Sequence, residues 1–257
     1  MNDRTRRFIV SFLFVLLGSN AALLAGPRSG ADGGTDPAGL QAKFLRLCDA
    51  AVRQLPLPER YYSSDLPPRK VPFYGDSYPV RSLAVAYDLT GNPEYLEAIK
   101  TWSDKMITFQ EKMIPKNGYY MNYGRVPFSG AGEWFVADNG EIAMGVLATA
   151  VRCANPLERD RYLRSARALA DLVLDNFVGP NGGIMNGHWS AYDGEWWASA
   201  AYNGPLFFRL YEETGDERYL EAGLNTVHWF VNLEKLRSTS RDAQFAAFNA
   251  PDESNPY

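Results

Sequence analysis

The sequence predicts an all-α protein built from repeated antiparallel helical hairpins. Three observations carry that expectation. Apolar residues recur at helical spacing through most of the chain, one turn motif appears twice in nearly the same form, and no comparable stretch alternates with period two.

The elements follow in chain order. Arg4, Arg6 and Arg7 precede the apolar run Phe8 to Leu17, and Ser19-Asn20-Ala21 offers small residues for cleavage, so residues 1–21 read as a secretory signal peptide. The run is short beside the ~20 apolar residues a spanning helix needs. The expectation is export to the periplasm or outside the cell, with no stable membrane insertion after cleavage. Residues 22–36 are Gly-rich and poor in apolar side chains, which predicts a flexible linker. The remaining 37–257 form one domain. Leu40, Phe44, Leu47, Cys48 and Ala51 recur at threes and fours and predict its first amphipathic helix. Similar runs cover roughly 79–90, 93–113, 139–153, 157–177, 203–214 and 216–233.

The repeat explains how those helices connect. Tyr87-Asp-Leu-Thr-Gly91-Asn-Pro-Glu-Tyr95-Leu-Glu-Ala98 matches Tyr211-Glu-Glu-Thr-Gly215-Asp-Glu-Arg-Tyr219-Leu-Glu-Ala222. A degenerate copy places Tyr162-Leu163 and Ala166 after Asn155-Pro156. Gly91 and Gly215 suit a left-handed cap that ends one helix. Asn92 or Asp216 then caps the next, whose buried face opens with Tyr-Leu-x-x-Ala. The far ends repeat as well. Asn117-Gly118 corresponds to Asn181-Gly182, Gly132-Glu133-Trp134 to Gly194-Glu195-Trp196, and Asp138-Asn139-Gly140 to Tyr202-Asn203-Gly204. Short turns thus lie at one end of the hairpins and long aromatic-rich loops at the other, the asymmetry of a fold with its site on one face.

Composition narrows the function. The 257 residues are 46% hydrophobic and 14% aromatic with a net charge of -4, so nothing in the charge favours nucleic acid as a partner. Cys48 and Cys153 sit in helical apolar patterns and read as two buried thiols rather than a disulfide. His188 and His228 are the only histidines and stand far apart, so no metal site and no cofactor is expected. His228, in the run Val227 to Val231, reads as a satisfied outer-helix residue.

The turn Thr214-Gly-Asp-Glu-Arg-Tyr-Leu-Glu-Ala222 and the segment Ala137-Asp138-Asn139-Gly140-Glu141-Ile-Ala-Met144 resemble those of the six-hairpin glycosidase superfamily. That group includes unsaturated glucuronyl and rhamnogalacturonyl hydrolases, alpha-mannanases and N-acylglucosamine epimerases. The likeness covers about 75–240 and implies an α/α toroid that processes carbohydrate, without singling out a family. At ~62 residues per hairpin a ring of six needs ~370 residues, and 36–257 supply about three and a half hairpins. The expected form is therefore an incomplete or open toroid, either truncated or an open arc.

Candidate chemistry follows from the loops. Asp138 opens an inner helix after a long loop, the place from which a carboxylate can act as general acid or base on a sugar. The same Asp138-x-x-Glu141 spacing also fits a capping box with no function. Asp193 and Glu195, beside Trp196 and Trp197, form a second carboxylate site whose burial would raise a pKa. Read structurally, they are first-turn acids favoured by the helix dipole. Asp76 opens the earliest inner helix. Tyr119, Tyr120, Tyr123, Trp134, His188, Trp189, Trp196 and Tyr202 are candidates for stacking on pyranose rings. Two readings result: a glycoside hydrolase-like enzyme on oligosaccharide or polysaccharide, or a non-catalytic helical-repeat module that binds glycan or protein through the aromatic rim. A terpenoid-cyclase or prenyltransferase relative is disfavoured by the signal peptide and by the missing Asp-rich metal motif.

Overall fold

A computed structural model describes residues 36–55, 74–111, 116–119, 134–188 and 194–239. The signal peptide and most of the linker lie outside the described residues. The chain divides into two compact units, 1–43 and 44–257. In the first, the described residues form the opening turns of helix α1 (Pro37–Gln54), where the Asp36 carboxylate accepts the Ala38 N–H at 3.1 Å. All other described elements belong to the second.

The stripe expected on α1 needs correction. Cys48 is buried and Phe44 and Ala51 pack partly against the core, but Leu47 is 64% exposed and Leu40 53%. The buried line runs through 44, 48 and 51, and the two leucines fall beside it.

Three helical hairpins follow. The first is α2 (Ser77–Thr90) with α3 (Pro93–Gln110), the second α4 (Val136–Ala150) with α5 (Pro156–Asn176), the third α6 (Trp197–Thr214) with α7 (Glu217–Thr239). Their turns are built as the repeat predicts. Gly91 and Gly215 take φ of 68° and 70°, and each donates its N–H to the carbonyl four residues back, Tyr87 or Tyr211, at 2.8 Å. That left-handed backbone is what glycine permits at no steric cost. Asn92 then accepts the Glu94 N–H and Asp216 the Arg218 N–H, both at 3.1 Å, while Asn155 accepts from Leu157 at 2.9 Å. Pro93 and Pro156 occupy the first helical turn, where a missing N–H costs nothing.

Helices α2, α4 and α6 pack side by side as an inner row, and α3, α5 and α7 lie behind them. The middle helix α4 is buried along almost its whole length because both flanks are covered. Small residues make that possible. A Cβ on Gly140 would meet the Asn203 amide at 2.8 Å, and one on Gly145 would meet the Trp102 ring at 2.9 Å.

A ladder of hydrogen bonds ties the outer helices together. The tyrosine of each Tyr-Leu motif donates its hydroxyl to an aspartate on the preceding outer helix: Tyr95 to Asp49 at 2.7 Å, Tyr162 to Asp104 at 2.7 Å, Tyr219 to Asp171 at 2.8 Å. Asp104 and Asp171 each stand nine residues after the preceding motif tyrosine, Tyr95 and Tyr162. The corresponding position in α7 is His228, which stands exposed on the outer helix. Cys48 and Cys153 are both free, buried thiols. No helix among the described residues is long and apolar enough to cross a membrane.

Candidate active site at the long-loop rim

A backbone lattice gathers the long-loop ends of the inner helices. Strands β1 (Trp134–Phe135) and β2 (Gly187–His188) pair antiparallel, Trp134 opposite His188 and Phe135 opposite Gly187. Val136 N–H donates to the Asn186 carbonyl at 2.9 Å, Asn186 N–H to Gly194 at 3.1 Å, and Trp196 N–H to Ile184 at 2.8 Å. One segment, 184–188, therefore stitches the start of α4 to the start of α6. Asp138 and Trp196 lie on the same rim, in the first turn of α4 and at the N-cap of α6.

The helix start corrects the expected capping box. Phe135 is the N-cap of α4 and makes no side-chain cap, so Asp138 lies inside the first turn and Glu141 a turn deeper. Asp138 is partly buried, and desolvation, with a smaller push from the Glu141 charge, raises its pKa to about 8. Its carboxyl thus keeps a proton at neutral pH.

Glu141 is only 2% exposed, and it serves as an ion-pair partner rather than a cap. Its Oε2 accepts from Ser77 Oγ at 2.8 Å and from Arg81 Nη2 at 2.7 Å, both on α2. Burial raises the Glu141 pKa, and Arg81 and Ser77 oppose that rise. The Arg81 guanidinium also stands over the Tyr78 ring, 5.3 Å from its centroid. Tyr78 in turn meets Tyr202 of α6, hydroxyl to hydroxyl at 3.2 Å. Tyr78 remains 42% exposed, so the tyrosine pair is reachable from solvent. All three inner helices thus contribute polar groups to one cluster.

Asp76 ends a 3-10 turn (Tyr74–Asp76) that packs against α4 and leads into α2. Its Oδ2 accepts from Trp102 Nε1 at 3.4 Å, and burial raises its pKa despite Trp102 and Lys105.

Two expected site residues have other work. Glu195 spends both oxygens on protein donors: the Asn181 N–H at 2.8 Å, Asn181 Nδ2 at 3.1 Å, the Gly183 N–H at 3.2 Å and Trp229 Nε1 at 2.7 Å. It clasps the 177–185 turn to α7, and that engagement corrects the reading of Glu195 as a general acid. A Cβ on Gly179 would strike its carboxyl, so the turn is shaped around it. Tyr119 is fully buried, its hydroxyl 2.8 Å from Ser165 Oγ and its N–H bonded to Asn139 Oδ1 at 2.5 Å. It is a core residue and not a sugar platform. Trp196 and Tyr202 are partly exposed, and the Trp196 and Trp197 rings lie 6.2 Å apart. Tyr120, Tyr123, Trp189 and Asp193, and the side chains of Trp134 and His188, lie outside the described residues. Among the described residues no group of His, Cys, Asp and Glu could hold a metal ion.

Sequence reasoning missed Arg81, Tyr78 and the ion-pairing of Glu141. A charged residue four after Ser77 on an inner helix was the available signal, but its partner lies 60 residues away.

No protein-family model and no curated protein matches the chain. Solved structures do match. A sugar epimerase from a ruminal bacterium superposes with a TM-score of 0.51 at 13% identity, over 61% of this chain and 41% of that one. A glycosyl hydrolase family 88 protein from Bacteroides vulgatus superposes with a TM-score of 0.56 at 16% identity, over 76% of this chain and 56% of that one. The fold is that of an α/α toroid. This chain spans between about two-fifths and just over half of those longer chains. In toroid terms α2, α4 and α6 are inner helices, and the cluster at their N-terminal ends occupies the rim that carries the long loops.

Proposed function

We propose that this chain is an exported, glycoside hydrolase-like protein that processes oligosaccharides with carboxylate acid/base chemistry. One arrangement carries the reading: Asp138, whose pKa burial raises to about 8, stands on the long-loop rim one helical turn from Glu141, which is ion-paired with Arg81. A carboxylic acid held neutral at pH 7 can protonate a leaving oxygen or a polarised double bond. Asp76, also shifted upward by burial, is a further carboxyl at the N-cap of the neighbouring inner helix. Tyr78, Tyr202 and Trp196 supply aromatic faces and hydroxyls for a sugar ring.

The test is turnover on a panel of neutral, uronic and unsaturated oligosaccharides, wild type against Asp138→Asn. A responsive substrate is expected to lose about 100-fold or more in the variant, the scale of general acid–base loss. Equal rates in both proteins would overturn the assignment.

The alternative is a glycan-binding module without catalysis. It is favoured by the solvent access of the rim aromatics, with Tyr78 exposed and Trp196 and Tyr202 partly so. In that case no oligosaccharide turns over, while Trp196→Ala weakens glycan binding by ~1–3 kcal/mol, the scale of burying one aromatic face.

A further inference from the structure

Asp138 and Glu141 are three residues apart on one helix, so their side chains share a face. Two neighbouring carboxyls in a poorly solvated place do not both ionise cheaply; the one with better donors gives up its proton and the other keeps it. The donors here are unequally shared. Glu141 receives Arg81 and Ser77 from the adjacent inner helix, at 2.7 and 2.8 Å. Asp138 faces no cation within ion-pairing distance among the described residues.

We propose that Glu141 is the positioning residue of this site: held by Arg81 and Ser77, its carboxylate favours the protonated form of Asp138. The clamp lies on α2 and the carboxyls on α4, so the packing of two inner helices decides which acid is charged. This accounts for a buried, charged residue one turn inside a helix, where a cap would serve no purpose. It also accounts for the serine. Ser77 is fully buried and spends its hydroxyl on the same Glu141 oxygen as the guanidinium. Among the described residues, the other titratable groups at this end include Asp76 just before α2, Tyr78 and Arg81 on α2, Lys105 on α3, and Glu195 and Tyr202 at and within α6. Burial first, and then the Glu141 charge, raise the Asp138 pKa.

The inference deepens the acid/base reading of Asp138, but its test needs no substrate, so the two can fail separately. Carboxyl-carbon nuclear magnetic resonance titrations of the full chain, labelled at Asp and Glu and assigned with Asp138→Asn, give both midpoints. In Glu141→Gln the Asp138 midpoint is expected to fall by about one pH unit, the size of one removed like charge. In Ser77→Ala, which changes no charge, the Glu141 midpoint is expected to rise. An unmoved Asp138 midpoint in folded Glu141→Gln overturns the proposal. So does a Ser77→Ala protein in which neither midpoint moves, which keeps the question decidable if the glutamine variant does not fold.

Discussion

Replacing Asp138 by Asn changes how stability depends on pH, and the structure fixes the sign. The carboxyl has a pKa of about 8 in the folded chain against 3.8 for an ordinary aspartate. Between those values the folded state binds more protons than the unfolded one, so stability falls as pH rises through that window. Below it, both states are protonated and the penalty is absent. Above it, the penalty is complete. About four pH units at 1.36 kcal/mol each set a ceiling of ~5–6 kcal/mol. Asp138 is only partly buried, and solvent screening reduces that to ~2–3 kcal/mol. Asparagine never ionises and escapes the penalty. Urea unfolding at ~pH 5, 7 and 9 therefore ought to show Asp138→Asn growing more stable than wild type with each step, with most of the gain complete by ~pH 8–9. A gap that stays flat across the range would refute both the burial of this carboxyl and its role as a proton holder.

Three further outcomes follow from the packing. Tyr162→Phe removes one rung of the outer ladder and leaves Asp104 without its phenol, at a cost of ~1–3 kcal/mol by chemical denaturation; wild-type stability would show that the rung contributes nothing. Gly140→Ala drives a methyl group into the Asn203 amide, for ~1–3 kcal/mol, whereas Gly91→Ala meets no atom within 4 Å and costs only the ~1–2 kcal/mol of left-handed backbone; melting temperatures in the reverse order would contradict the helix spacing. Glu195→Gln puts an amide donor against four donors from Asn181, Gly183 and Trp229, and is expected to lose ~2–4 kcal/mol together with a shift in tryptophan fluorescence. Unchanged stability there would reopen a catalytic role for that acid.

The hairpin turns were legible because their signals are local. Glycine with φ near 70° and an Asn or Asp two residues before the N–H that donates to its side chain are written within five residues of sequence. The Tyr of the Tyr-Leu motif was legible as buried, but its function as a donor was not. An aspartate nine residues on, at 104 and at 171, repeats with it and was the unused signal. Tyr119 shows the opposite limit. An Asn-Gly-Tyr loop segment reads as rim, yet Asn139, one helical turn into the neighbouring element, captures its N–H and Ser165 its hydroxyl.

The misread helix start matters most for the site. Asp138-x-x-Glu141 has the residue types of a capping box, and only the true start of α4 distinguishes cap from interior. That start is set at Val136 by a bond from its N–H to Asn186, fifty residues downstream, with no side-chain cap at Phe135. The same holds for α6, which begins beside Trp196 where its N–H meets Ile184, again without a side-chain cap. Both inner helices thus take their starts from segment 184–188 rather than from local capping residues. Moving the start three residues earlier carries Glu141 from the first turn into the packed interior. There the helix dipole no longer offsets its charge, and a cation from the adjacent helix must. Arg81 supplies it, and the leftover proton stays on Asp138. The acidic pair acquires its chemistry from a loop that neither residue touches in sequence.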